Sequence, residues 1–240
     1  MTNNTADDRK RAAALKALDF IHDGMIVGLG TGSTAAHFVK ALGAKVKAGL
    51  RITGVATSAA AETLAIEAGI PLAELDAVPH VDITIDGADE ADRSFRLIKG
   101  GGAAHLREKI VANTSRRMIA IMDDTKLVES LGRFPLPLEI LPFAARTTMR
   151  HAADAAAAAG CAGNFVRLRG GDAHPAISDN GNLIADLDCG TIPDPEGLAT
   201  ALSAIPGLVE HGLFIGLCHG LIVGRPEGAE VIEPPAHGAE

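Results

Sequence analysis

Four short apolar runs, at 25–30, 51–56, 81–85 and 118–122, alternate with segments whose apolar residues recur at helical spacing. Each run reads as a buried strand. The helical patterns cover 7–22 (Ala14, Leu15, Leu18 and Ile21, with Asp7 or Asp8 as cap), 36–47, 58–68 and 103–113. Parallel neighbours need a long crossover between them, usually a helix. The alternation therefore predicts an α/β fold, a mostly parallel sheet with helices on both faces.

Near Phe134, Pro135, Leu136 and Pro137 the texture changes. A helix is expected at 144–159, a strand at 165–168, a hairpin at 176–185 turning at Asn180 and Gly181, a helix at 195–204 and a strand from Leu208. This βαββαβ order predicts a smaller α+β domain at 134–210, with the main domain at 1–133 and 211–240. The runs starting at Leu213 and Leu221 are expected back in the main sheet. The polar tail after Pro226 is expected to fray.

In open parallel sheets ligands bind beyond the carboxyl ends of the strands, and there the chain places its polar clusters. Phe95 to Ile98 lead into Lys99, Gly100, Gly101 and Gly102, followed by a helix carrying Glu108. Glycines let backbone N–H groups approach a ligand closely, and a helix start adds unpaired N–H groups and a positive dipole end. With the Lys99 ammonium this forms a site for negative charge on oxygen. A single carboxylate beside it points to proton abstraction next to a carbonyl. His105 is a rival proton carrier that reads better as a rim or packing residue, and Arg107 and Lys109 read as solvated flanks.

Gly28, Gly30 and Gly32 with Thr31, Ser33 and Thr34 form a phosphate-binding turn between strand and helix. Ser33 stands where a dinucleotide fingerprint needs its third glycine, which favours a mononucleotide or sugar phosphate. Asp86 and Asp89, at the next strand end, can bracket polyol hydroxyls, and a divalent metal is the weaker reading because no further ligand stands at suitable spacing. Lys126, after Asp123 and Asp124, can meet a phosphate from a fourth strand end.

The net charge of −8 argues against a nucleic-acid partner, and seven Phe with no Trp or Tyr argue against stacking platforms. Cys161, Cys189 and Cys218 form no CxxC pair and read as free thiols of a reducing compartment. No membrane-spanning run and no signal peptide are read, so a cytoplasmic location is expected.

With these residues laid out, the chain resembles the type A ribose-5-phosphate isomerases. The resemblance is carried by Ile26 through Phe38, Ile85 through Glu90, Ile98 through Ala104, Arg107 through Ile110 and Phe134 through Glu139, with thinner similarity over nearly the whole chain. It implies interconversion of ribose 5-phosphate and ribulose 5-phosphate in the non-oxidative pentose phosphate pathway, with neither metal nor organic cofactor. It also implies a Rossmann-like main domain, a ferredoxin-like smaller domain, and a homodimer or homotetramer. By position, Glu108 matches the general base, and Asp86 and Lys99 are expected to join it in catalysis. Thr31, Gly32, Ser33, Thr34, Asp86, Gly87, Ala88, Asp89, Lys99, Gly100, Gly101, Gly102 and Lys126 match substrate-binding positions. His105 and the stretch from Leu217 to Gly220 depart from the family pattern without touching a matched ligand position. A sugar-phosphate sensor would normally carry a fused DNA-binding helix-turn-helix, and the short polar N-terminus has no room for one. An amino-sugar-phosphate deaminase would want a catalytic Asp–His–Glu set, and an acyl-CoA transferase a much longer chain.

Overall fold

The computed structural model describes residues 5–234. The first helix, α1 (Ala6–Ala17), is capped by Thr5 rather than by Asp7 or Asp8: Thr5 Oγ1 accepts from the Asp8 N–H, and Asp8 Oδ2 accepts from the Thr5 N–H at 2.9 Å. This reciprocal capping box closes two orphan donors. The helix stops short of His22, giving way to a 3₁₀ turn at Leu18–Phe20. β1 (Ile26–Leu29) then leads into α2 (Ser33–Lys47). α2 starts three residues before the sequence suggests, because Gly32, at φ +103°, turns strand into helix at once. β2 (Thr53–Ala56) is followed by α3 (Ala59–Ala68), capped by Ser58, and by β3 (Ile83–Gly87).

Two short strands, β4 (Glu90–Ala91) and β5 (Leu97–Ile98), precede α4 (His105–Thr114). Ala103 sits at φ +61°, which keeps it out of the helix and puts Glu108 in the first turn of α4. Next come β6 (Met118–Asp123), β7 (Leu136–Ile140), α5 (Ala145–Ala158), β8 (Phe165–Leu168), β9 (Leu183–Asp188), α6 (Pro195–Ser203) and β10 (Leu208–His211). β11 (Leu213–Phe214), β12 (Leu221–Arg225) and β13 (Gly228–Ile232) complete the described chain.

The main sheet runs β13-β12-β6-β3-β1-β2, parallel throughout except for β13. Side chains alternate across it with the two-residue period of a strand. Ile119 and Ile121 join Val27, Leu29, Phe38, Leu42 and Ile85 in the core that includes α1 and α2 residues. Met118, Ala120 and Met122 face the other way, onto Phe214 and Ala112 of α4. From β1 the chain moves one way to β2 and then back past β1 to β3. The topological switch point, where such sheets bind ligands, therefore lies between β1 and β3.

A second sheet, β10-β7-β9-β8, is antiparallel and packs Leu136, Leu138 and Ile140 into a core with Ala152, Leu198 and Leu202 of α5 and α6. The hairpin at 176–185 forms around the turn at Asn180 and Gly181, with the Ser178 N–H donating to the Asn182 carbonyl at 2.9 Å and the Ile184 N–H to the Ala176 carbonyl at 3.0 Å, and Ile177 bridging Leu183. Two expectations need correction. β11 does not return to the main sheet; it pairs with β5 in a small third sheet, β11-β5-β4. The tail does not fray at Pro226: β13 pairs with β12 through Ile232, and the tail beyond 234 lies outside the described residues.

α1 lies so close to β12 that a Cβ on Gly224 would overlap the Arg9 carbonyl. Gly224→Ala is therefore expected to lower stability by about 1–3 kcal/mol, the usual cost of overpacking, read as a lower midpoint in urea unfolding.

Candidate active site

Gly30 follows β1 where a Cβ would overlap Asp86, so the carboxyl ends of β1 and β3 can close on each other. Asp86 is wholly buried there, its Oδ1 accepting the Thr31 N–H at 2.9 Å and the Gly87 N–H at 2.7 Å. Its other oxygen faces Lys99 Nζ at 3.0 Å. The same ammonium donates to the Gly87 carbonyl at 2.6 Å and lies 3.3 Å from Glu108 Oε2. Lys99 and Glu108 are 2% and 4% exposed, so two carboxylates share one ammonium almost without solvent.

Burial, then the Asp86 charge, pushes the Glu108 carboxyl up to about 8, with Lys99 opposing. Burial also raises Asp86, again against Lys99. Burial alone would lower Lys99, but the Asp86 and Glu108 charges more than reverse that and hold it protonated. The three groups thus carry one fixed positive charge and a carboxyl whose proton affinity sits near neutrality.

A cavity of about 120 Å³ opens above them. Thr31, Gly32, Ser33, Thr34, Gly87, Ala88, Asp89, Lys99, Gly100, Gly101, Gly102, Glu108 and Lys126 all line it, so segments far apart in sequence meet at one place. Asp86 alone of the expected site residues does not: it lies beneath, its carboxylate spent on Thr31, Gly87 and Lys99. Asp89 Oδ2 accepts the Gly101 N–H at 2.7 Å. Thr31 Oγ1 sits within hydrogen-bond distance of Thr57 Oγ1 and Ser58 Oγ, at 2.9 and 2.7 Å, which ties the turn to the end of β2. Among the described residues no side chain caps the N-terminus of α2, leaving its first N–H groups for an anion.

Two cavity residues escaped the sequence reading. Lys10 reaches in from α1, its Nζ 3.1 Å from Ser33 Oγ; in sequence a lysine on an amphipathic helix looks like a solvated one. Asp123 also lines the cavity, and its place at the end of β6 was the available signal. Among the described residues no group of three or more His, Cys, Asp or Glu is arranged to hold a metal ion, and no helix is long and apolar enough to cross a membrane.

The flanks of Glu108 also differ from expectation. Lys109 is not solvated: it donates to Glu210 Oε1 and to the His211 carbonyl, both at 2.7 Å. Arg107 is half exposed and grips Asn180 Oδ1 and the Asp179 carbonyl. His105 is fully buried beneath Gly100, and burial pulls its pKa down to about 4, so it packs as a neutral ring away from the cavity. Ser203 and His211 come within 3.2 Å, but His211 Nδ1 accepts the Leu213 N–H, so Nε2 carries the hydrogen and cannot take one from serine.

A family model for ribose 5-phosphate isomerase A (phosphoriboisomerase A) matches residues 53–228. A ribose-5-phosphate isomerase A of Parvibaculum lavamentivorans is 55% identical over 228 residues, spanning 95% of this chain and 99% of its own length. A solved D-ribose-5-phosphate isomerase in complex with phospho-erythronic acid superposes with a TM-score of 0.88 at 40% identity, covering 96% of this chain and 100% of its own. The ribose 5-phosphate isomerase A of Neisseria gonorrhoeae gives 0.87 at 38% identity, covering 97% and 99%.

The raised Glu108 pKa has a stability consequence. An unfolded chain releases this proton near 4.5 and the folded one near 8, so the folded state holds more protons in between and stability falls as pH rises through that window. Buried His105 and His211, lowered from 6.5 to about 4, act in the opposite sense below pH 6.5. Urea unfolding between pH 6.5 and 8 should therefore show declining stability, by at most about 1.4 kcal/mol per pH unit from this group, and Glu108→Gln should flatten the decline.

Proposed function

The chain belongs to the ribose 5-phosphate isomerase A family and is an isomerase; from that premise we propose that it interconverts ribose 5-phosphate and ribulose 5-phosphate through a cis-enediolate. The observation that carries this reading is the buried Glu108 carboxyl, near-neutral in proton affinity, 3.3 Å from Lys99 at the floor of a cavity lined by glycines.

The phosphate sits at the uncapped N-terminus of α2, between Lys10 and Lys126. The sugar then extends toward Lys99 and Glu108. Glu108, as carboxylate, takes the proton from C2 of the open aldose, and the electron pair moves into a C1–C2 double bond as the carbonyl oxygen becomes an oxyanion. Lys99 and the glycine-loop amides stabilise that charge, which needs preorganised donors in a site closed to water. A hydroxyl proton passes between the two oxygens of the enediolate, and protonated Glu108 returns its proton to C1. An acid–base group works best when its pKa lies near the working pH, which favours a carboxyl raised by burial. Asp89, at the cavity wall, orients hydroxyls and assists ring opening. Asp86, beneath the floor, keeps Lys99 charged and the Thr31 turn in place. Lys99 supplies the positive charge that a metal could otherwise bring, so this route calls for no cofactor. The phospho-erythronic acid of the relative's complex is a phosphorylated acid whose planar carboxylate resembles an enediolate.

The same reading assigns the protein to the non-oxidative pentose phosphate pathway in the cytoplasm, as a homodimer or homotetramer. It treats 134–210 as a domain distinct from 1–133 and 211–240.

In an assay of ketose formation from ribose 5-phosphate with a chelator present, Glu108→Gln is expected to lower kcat by ~10²–10⁴-fold with little change in phosphate-end binding. A variant turning over at the unaltered rate rejects Glu108 as the base. Lys10→Ala and Lys126→Ala should act at the other end of the substrate. Each is expected to raise KM about 10–100-fold, as a lost charge-assisted hydrogen bond does, with kcat changed far less.

A further inference from the structure

The glycine loop is held from outside by a residue that neither the motif nor the cavity reveals. Arg169 follows β8, and its backbone is pinned on both sides: its N–H donates to the Ile184 carbonyl at 2.9 Å, and its carbonyl accepts the Ala176 N–H at 2.8 Å. Its guanidinium forks onto Asp186 of β9, Nε to Oδ2 at 3.1 Å and Nη2 to Oδ1 at 2.6 Å. The remaining nitrogen, Nη1, donates to two successive carbonyls of the loop, Gly100 at 2.9 Å and Gly101 at 3.1 Å. The pair is mostly sheltered from water, at 22% and 14% side-chain exposure, and the forked contact fixes the guanidinium plane.

A trans peptide is planar, so the N–H of each residue points opposite to the carbonyl of the residue before it. Holding the Gly100 and Gly101 carbonyls on the outer side therefore turns the Gly101 and Gly102 N–H groups inward. The first of these meets Asp89 Oδ2 at 2.7 Å on the cavity wall. The second has no partner among the described residues and is left for a ligand oxygen. A cation on each carbonyl also polarises the peptide, which strengthens the opposite N–H as a donor. Within the loop the Gly100 carbonyl also accepts the Ala103 N–H at 3.0 Å, whereas the flexible glycine backbone gives the Gly101 carbonyl no such internal partner and leaves its direction to the guanidinium.

We propose that Arg169, oriented by Asp186, is a positioning residue for the isomerisation: it holds the glycine loop with its amides facing the developing oxyanion. This rests on the enediolate reading above. The residue does not line the cavity and belongs to the antiparallel unit, so the smaller sheet takes part in catalysis through a guanidinium rather than through a cavity contact.

The test compares Arg169→Met, Arg169→Lys and Asp186→Asn with the unaltered enzyme, measuring kcat and KM for ribose 5-phosphate and inhibition by phospho-erythronic acid and by inorganic phosphate. Small displacements of catalytic groups cost up to ~10²-fold, so Arg169→Met should lower kcat about 10–100-fold. KM should stay within about three-fold, because phosphate-end binding is shared by ground and transition states. Arg169→Lys and Asp186→Asn should fall between. Binding of phospho-erythronic acid should weaken in step with kcat/KM while inorganic phosphate is unaffected, a split that a general loss of structure does not produce. An Arg169→Met enzyme with unaltered kcat overturns the proposal, as does equal weakening of both inhibitors. Near-normal turnover by Glu108→Gln sinks the enediolate reading itself, whereas a dead Glu108→Gln beside a normal Arg169→Met sinks only the role of Arg169.

Discussion

A lysine ammonium buried between two carboxylates is the constraint around which this fold is arranged. Taking three ionisable groups out of water costs several kcal/mol for each ion, and only close geometry returns it. Lys99 meets that demand with Asp86, Glu108 and the Gly87 carbonyl, all within 3.3 Å. The three charged groups come from three different elements: Asp86 from β3, Glu108 from the first turn of α4, and Lys99 from the end of β5. Misplacing any one would strand a buried charge, so the switch point of the sheet, the start of α4 and the small third sheet are fixed together.

The excess carboxylate gives this cluster its chemistry. Two equal pairs would lock both acids as ions, whereas two acids sharing one cation leave one of them with a proton affinity near neutral pH. Its position at the cavity floor lets that proton be exchanged with a ligand. The neighbours of Glu108 on the helix serve anchorage instead: Arg107 reaches Asn180 and Lys109 reaches Glu210, both across the boundary to the antiparallel sheet. The antiparallel unit thus grips α4 on either side of Glu108, from the turn at Asn180 and from Glu210 of β10, and through Arg169 the glycine loop as well.

Much of this was legible in the residue order. Strand–helix alternation predicted the parallel sheet, and the glycine turn, the Asp86–Asp89 pair and the Lys99 loop lay at strand ends, where ligands gather. What escaped was set by tertiary packing rather than by local pattern. Leu213 and Phe214 are as apolar as a main-sheet strand, and only their pairing with β5 sends them elsewhere. The tail after Pro226 is polar because β13 is an edge strand, and polarity alone does not distinguish an edge strand from a frayed end. Lys109 and Arg169 are charged residues in ordinary surroundings in sequence, and nothing short of the fold reveals that their partners include a half-buried glutamate and two backbone carbonyls. Motif spacing also carries no depth, and it is the fold that sets Asp86 beneath the cavity lining, against Lys99.

The seat of α1 has a temporal side. Lys10, which lines the cavity beside Ser33, is carried by a helix whose neighbours include β12 and β13, and at Gly224 the fit is tight enough to exclude a methyl group. During synthesis this helix leaves the ribosome before β1, yet those strands emerge only after the four other strands of the main sheet. A nascent chain can therefore form the early strands and helices of the sheet while this side of the cavity stays open, and the wall that carries Lys10 is completed only when α1 and those strands have come together.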